Sequence, residues 1–161
     1  MYILGIRSMG RFNEHVVAKI EKELQVKLPD SYKGILLKYP FPSDSDAAYY
    51  DFYGDPEVIL EDNKYYRDNG FNGHPWQVKH FIIGNDGSGD IFFIDLENND
   101  GRVFRAHQNS GTEKLLLIQE AAEDIYQFVE QIQERSEEFE EAEPDDLEET
   151  KRVKKRNEPW E

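Results

Sequence analysis

Three short runs of β-branched and aromatic residues, at 81–83, 91–94 and 103–107, constrain the fold of this chain more than any other feature. Turn-forming glycine, asparagine and aspartate residues fill the intervals 84–90 and 98–101. This alternation predicts three antiparallel strands joined as a meander. Because residues 91–94 are apolar at every position, the middle strand is expected to have little solvent on either face.

Helical patterns flank the meander. Asn13 fits an N-cap, and Pro29 fits the first turn of a second helix that is expected to end at Pro40. The predicted core positions of these helices are Val16, Val17, Ile20, Leu24, Tyr32, Ile35, Leu36 and Tyr39. A closing helix is predicted from the apolar stripe Ile118, Ala121, Ala122, Ile125, Phe128, Val129 and Ile132.

The segment 57–69 leaves two interpretations open, since 58–60 fits a strand and 64–66 fits a helical turn. The fold class does not depend on that segment. We predict an α+β fold in which a small antiparallel sheet, the central meander, is flanked by N-terminal and C-terminal helices.

Charge limits the partners of this chain. Its 34 Asp and Glu residues against 19 Lys and Arg residues give a net charge of −15. Such a surface repels phosphate, so direct binding to nucleic acid or to an anionic membrane is not expected. It attracts basic proteins through long-range steering. The sequence has neither the run of about 20 apolar residues of a spanning helix nor the pattern of a signal peptide, so we expect a cytoplasmic protein.

The charge is concentrated towards the C-terminus. Residues 1–133 have a net charge of −9, whereas residues 134–161 have −6 in far fewer positions. We therefore predict a domain at 1–133 and a charged tail at 134–161. Nine acids at 137–149 precede a basic block at 151–156. A solvated extension is favoured over a decoy for basic surfaces, and the nearby acids argue against nucleic-acid binding by the basic block.

A loop at 43–56 interleaves acids with aromatic rings. Carboxylates pair with guanidinium groups, and tyrosine rings add apolar area and cation–π contacts, so the loop suits a basic protein partner. The alternative, left open here, is that the rings fold inward and the aspartates cap turns. The predicted partner-binding residues are Asp44, Asp46, Tyr49, Tyr50, Asp51, Tyr53 and Asp55.

The glycine-rich hairpin invites a catalytic interpretation, because Asp86, Asp90, Asp95 and His107 carry oxygen and nitrogen ligands. Their spacing does not fit an EF-hand loop, and the glycines lie between strands rather than before a helix. We favour a structural role, with Gly87 and Gly89 at positive φ and the aspartates bonding backbone N–H groups.

No other pattern in the sequence indicates catalysis. Its four histidines are not paired at helical spacing, it contains no nucleophile motif, and it has no cysteine. Trp76 is predicted to pack in the core. We predict no enzyme activity, no metal and no cofactor.

Three segments in order carry a family resemblance: LPDSY at 28–32 opening a helix, IIGNDGSGDIFFID at 82–95, and IYQFV at 125–129 in a helix that follows a strand ending at His107. Over 13–133 the chain resembles the SUKH superfamily (Smi/Knr family) of fungal cell-wall regulators and bacterial immunity proteins. The resemblance implies an α+β fold and no catalytic residues. It implies structural roles for Leu28, Pro29, Tyr32, Gly84, Asp86, Gly87, Gly89, Asp90 and Asp95.

The resemblance and the charge together predict an immunity protein. It would bind a basic toxin domain, of nuclease type, and cover the surface that holds the substrate; a monomer is favoured. The alternative is a non-catalytic regulatory scaffold like the fungal members. A third hypothesis is a metal-dependent hydrolase at Asp86, Asp90, Asp95 and His107.

Overall fold

The computed structural model describes residues 11–98, 101–108 and 116–141, with side chains to residue 136. The helices are α1 (Glu14–Leu24), α2 (Asp30–Leu37), a π-helical turn (Ala47–Asp51), α3 (Pro56–Asn69) and α4 (Ile125–Glu141). The strands, which lie between α3 and α4, are β1 (His80–Asn85), β2 (Ile91–Asp95), β3 (Val103–His107) and β4 (Leu117–Ala122).

The chain divides into two compact units, Met1–Val129 and Glu130–Glu161. The first contains the sheet and all helices up to the start of α4. Of the second, the structure describes the part of α4 that ends at Glu141. The predicted boundary near Gln133 stays a prediction. The basic block at 151–156 and most of the acidic run lie outside the described residues.

The four strands pair antiparallel in the order β1-β2-β3-β4, which confirms the α+β class and the central meander. Strand β4 corrects the predicted closing helix: Ile118, Ala121 and Ala122 lie in the sheet, and α4 begins only at Ile125. The apolar stripe combined two elements whose spacings happened to coincide. Pairing with β3 fixes β4, and Ile118 is 43% exposed instead of buried.

Strand β2 is buried on both faces, as its apolar run predicted. Phe92 packs on Phe128 of α4 with ring centroids 5.0 Å apart, and Phe93 packs on Trp76, also at 5.0 Å. Trp76 is a core residue, as predicted, and its indole N–H donates to the His80 carbonyl at 2.8 Å. The sheet therefore has apolar layers on both sides of its second strand.

Helix α1 follows its predicted bounds, whereas α2 differs from its prediction at both ends. Asn13 caps α1 by accepting from the Val16 N–H at 2.8 Å, as predicted. Pro29 is the extended N-cap of α2 and not part of its first turn. Helix α2 stops at Leu37, because the residue before Pro40 disfavours helical backbone. Tyr39 thus lies beyond the helix and stacks on Phe52.

The ambiguous segment 57–69 is one helix, α3. Pro56 occupies its first turn, and Asp55 caps it by accepting from the Glu57 N–H at 3.0 Å. Asn63 is 1% exposed and ties α3 to the outer edge of β1. Its amide donates to the Ile59 and Ile82 carbonyls, and its oxygen accepts from the Ile82 N–H at 2.9 Å.

None of the helices in the described ranges is long and apolar enough to cross a membrane.

Candidate protein-binding face

The π-helical turn at Ala47–Asp51 presents two tyrosines to solvent. Ala47 and Ala48 are buried and anchor the turn, and the Phe52 N–H closes it on the Ala47 carbonyl at 2.9 Å. Tyr49 is 72% exposed and Tyr50 39% exposed, with ring centroids 4.8 Å apart. The turn therefore places a pair of adjacent rings on the surface.

The sheet holds this turn in place through β1. A bulge at Ile82–Gly84 releases the Ile83 carbonyl, which accepts from the Tyr53 N–H at 2.9 Å. Gly84 lies directly against the turn, since a Cβ built there would be 2.0 Å from the Asp51 carbonyl oxygen. Gly84 is thus required by close backbone approach, a physical reason for its place in the motif.

Each interpretation of the 43–56 loop holds for some of its rings, since Tyr49 and Tyr50 are exposed and the rings that follow them are buried. Phe52 and Tyr53 turn inward: Phe52 packs against Tyr32 of α2 and Phe128 of α4. Tyr53 is 1% exposed, contrary to the expectation that it contacts a partner. Its hydroxyl donates to the Asp62 carboxylate and accepts from the Asn85 amide at 2.8 Å, which holds it in the interior.

Two aspartates of the loop have structural contacts, and two are exposed. Asp55 caps α3 and also pairs with Arg11 at 3.3 Å, and Asp51 is half-buried with its carbonyl against Gly84. Asp44 and Asp46 are exposed, and neither carboxylate forms an ion pair or hydrogen bond with the part of the chain that the structure describes. They remain available to a cationic partner.

A cavity of about 420 Å³ opens between the π-helical turn and α3. Its walls include Tyr49, Tyr50, Tyr53, Asp55, Glu61 and Asp62. Asp62 is half-buried, and this burial raises its pKa, although the Tyr53 hydrogen bond opposes the shift. Burial, followed by the Asp62 hydrogen bond, raises the pKa of Tyr53. The cavity lining therefore includes a hydrogen-bonded polar pair that is partly shielded from water.

We call the exposed part of this region the acidic-aromatic face. Its members are Asp44, Asp46, Tyr49, Tyr50, Asp55 and Glu61.

The glycine-rich hairpin at 84–95 is held by ion pairs. Arg105 of β3 donates to Asp86 at 2.6 Å and to Asp90 at 2.8 Å. Asp86 also accepts from the Ser88 N–H at 2.9 Å, and Gly87 and Gly89 have φ of 83° and 124°. His107 Nδ1 lies 3.0 Å from Asp90. This is the geometry of a fixed turn, in which the glycines take backbone conformations that other residues avoid.

The proposed metal ligands do not converge. The Arg105 guanidinium occupies the space between Asp86 and Asp90, and Asp95 lies at the other end of β2, where it accepts from the Glu97 N–H at 3.0 Å. Within the described residues, no group of three or more His, Asp and Glu side chains is placed to hold a metal ion. The hydrolase hypothesis thus lacks its ligand set.

Comparison with protein families gives one finding. The family model SMI1 / KNR4 family (SUKH-1) matches residues 12–131, which is most of the chain. The chain belongs to the SMI1 / KNR4 family (SUKH-1). This confirms the resemblance carried by the LPDSY segment and the hairpin. The family is known for toxin-immunity proteins, and its domains are generally non-catalytic. Searches of curated proteins and of solved structures returned no significant match.

Sequence reasoning did not identify two residues of the site in this SUKH-1 domain, Glu61 and Asp62. Glu61 is exposed on α3, and its position could have been recognised only if 57–69 had been identified as a helix. No local pattern reveals Asp62, because its contact with Tyr53 depends on how α3 packs beside the π-helical turn.

The hairpin cluster predicts how the stability of this SUKH-1 domain depends on pH. Burial alone would raise the pKa of Asp86 and of Asp90. Hydrogen bonds from Ser88 to Asp86 and from Gln108 to Asp90, together with the charge of Arg105, outweigh burial and hold both pKa values below the usual one. The stability that they contribute is therefore complete above pH about 4 and is lost as the pH falls below it.

We expect Asp90→Asn to be less stable than the parent chain at pH 7 and to lose less further stability below pH about 4. Urea unfolding midpoints measured at a series of pH values would show this. Asp46→Asn is the control, because its carboxylate has no partner among the described residues. If stability fell equally steeply below pH about 4 in the parent chain and in Asp90→Asn, the stabilising role of the Asp90 carboxylate would be contradicted.

Proposed function

We propose that this chain is an immunity protein that binds a basic toxin domain of nuclease type and covers its substrate-binding surface. Two findings support the proposal: membership of a family known for immunity proteins, and the acidic-aromatic face. The observation that carries it is the exposed ring pair of Tyr49 and Tyr50. It lies beside Asp44 and Asp46, which have no cationic partner in the described part of the chain.

The proposed mechanism is occlusion. Carboxylates of the face take the positions that phosphates of a nucleic acid would occupy on the toxin, so charge accelerates encounter. The rings add contact area, and burying a side chain of this size contributes roughly 2 kcal/mol. They therefore slow release more than they affect association.

The proposed site of action is the cytoplasm, where nucleic acid is the target. Residues 1–133 are proposed to carry the binding activity, with 134–161 as a charged extension. A monomer is proposed as the active form.

The first experiment asks whether the chain protects cells. The candidate partner is any basic domain encoded by a gene next to that of this chain. It is expressed with and without the chain, and growth is measured. We expect the domain to be toxic alone and harmless together with the chain, and the two to purify as one complex. Purification with several unrelated proteins and no protection would favour a scaffold instead.

The second experiment measures rates with that complex. Raising ionic strength from about 50 to about 500 mM is expected to slow association by at least about tenfold while dissociation changes little, since salt screens steering between exposed charges. Stopped-flow mixing provides both rates. An association rate that does not respond to salt would contradict electrostatic occlusion.

A further inference from the structure

The cavity between the π-helical turn and α3 has more negative charge than its own cation neutralises. Three carboxylates line it, those of Asp55, Glu61 and Asp62, together with one guanidinium, that of Arg11. Arg11 already pairs with Asp55 at the rim. Glu61 and Asp62 have no cationic partner within the ranges that the structure describes. The cavity lining therefore has a net negative charge, which favours binding of an additional cation.

Of these carboxylates, that of Asp62 would gain most from a cationic partner. It is half-buried, and its one hydrogen bond from another described residue comes from the Tyr53 hydroxyl to Oδ2. Oδ1 accepts no hydrogen bond from that part of the chain. A carboxylate partly removed from water without an opposite charge is destabilised, so a cation that reaches Asp62 is screened less than one on the open surface.

The walls of the cavity favour a flat cation. Tyr49 and Tyr50 stand at the mouth with their rings at 71° to each other, which offers a face for stacking. The volume of about 420 Å³ lies within the range of about 300–1,000 Å³ typical of small-ligand sites. Arg11 on Asp55 shows that the rim already accepts a guanidinium.

We propose that this cavity binds the side chain of one arginine from the basic partner, with its guanidinium between Asp62 and Glu61 and its plane against the tyrosine rings. Arginine suits the site better than lysine, because its planar fork reaches two carboxylates and stacks on aromatic faces. The proposal rests on the proposed function for the source of the arginine, but the cavity can be tested without any partner.

The probe is Nα-acetyl-arginine methylamide, titrated into the full-length chain and followed by NMR of the backbone amides. Saturable shifts are expected at Tyr50, Glu61 and Asp62, with a dissociation constant of about 1–10 mM for so small a ligand. The lysine analogue is expected to bind several-fold more weakly. The citrulline analogue, which has the same shape without the charge, is expected not to saturate.

Two variants locate the binding. Asp62→Asn keeps an acceptor for Tyr53 and removes the charge, so the arginine probe should bind about tenfold more weakly. Glu61→Gln, at an exposed position that does not support the fold, should weaken it by about threefold. Glu57→Gln is the control, because this exposed residue of α3 does not line the cavity and its loss should change nothing.

Equal binding of the arginine and citrulline probes, or equal affinity of the Asp62→Asn, Glu61→Gln and Glu57→Gln variants, would overturn the cavity assignment. If the rate of association with the toxic domain still falls as ionic strength rises, the proposed function is retained even though the cavity does not bind arginine. Conversely, if the probe binds in a charge-dependent way while no basic partner co-purifies with the chain from cells, that result would support the cavity and contradict the proposed function.

Discussion

Replacing Asn63 with leucine is expected to lower the free energy of unfolding by about 3–5 kcal/mol, which is a large part of the stability of an ordinary domain. The two side chains share the same branching and number of heavy atoms, so the largest part of the cost is the loss of hydrogen bonds. Asn63 satisfies both the N–H and the carbonyl of Ile82 on the edge of β1, where no further strand of the described residues pairs. Leucine would leave both groups buried and unpaired.

Asn69→Ala provides a matched control for this prediction. Asn69 also lies on α3 and donates to the carbonyl four residues earlier, that of Tyr65, but it is exposed. Water replaces that bond, so we expect a change below about 0.5 kcal/mol. Urea unfolding of both variants measures the difference. A loss of less than about 1 kcal/mol in Asn63→Leu would mean that α3 does not depend on this connection to the sheet.

Gly84→Ala is expected to damage both stability and partner binding. A Cβ at this position meets the backbone of the π-helical turn, with the Asp51 carbonyl oxygen at 2.0 Å and the Tyr50 carbonyl oxygen at 2.9 Å. Backbone cannot yield as a flexible side chain does, so the turn must shift. We expect a stability loss of about 2–3 kcal/mol. We also expect weaker binding of the toxic domain, because Tyr49 and Tyr50 move with the turn.

Gly34→Ala is the control for the added methyl group. Gly34 lies in the middle of α2 and is exposed, and a Cβ there would meet nothing within 4 Å. Alanine is the better helix former, so this variant should gain roughly 0.5–1 kcal/mol and bind the domain normally. Unfolding curves and affinities of both variants test the account. Normal binding by Gly84→Ala would show that the position of the turn does not matter for the partner.

The elements that sequence reasoning recovered are those with a local physical cause. Asn13 caps its helix through its own side chain, and the apolar run at 91–94 specifies a strand buried on both faces. The glycines at 87 and 89 supply the backbone conformations that the hairpin needs. Each of these depends on a few neighbouring residues, so a single sequence contains enough information.

The missed elements depend on distant contacts. Pairing with β3 makes residues 117–122 a strand. Their sequence alone resembles the start of a helix, because Ile118, Ala121 and Ala122 follow helical spacing. The interleaving of acids and tyrosines in the 43–56 loop predicts Tyr53 at a partner-binding surface. Its actual position is set by Asp62 on α3 and Asn85 on β1. No periodicity in the 43–56 loop indicates which rings turn inward.

The binding affinity of a face variant for the toxic domain tests the central claim most directly. The variant combines Asp44→Asn, Asp46→Asn and Tyr49→Ala. The control combines Asp68→Asn, Glu97→Gln and Tyr126→Ala, which changes the net charge equally and removes one exposed ring outside the face. We predict that the face variant binds at least about 100-fold more weakly and the control within about threefold of the parent chain. Equal affinities for the two variants would contradict the claim that the acidic-aromatic face holds the partner.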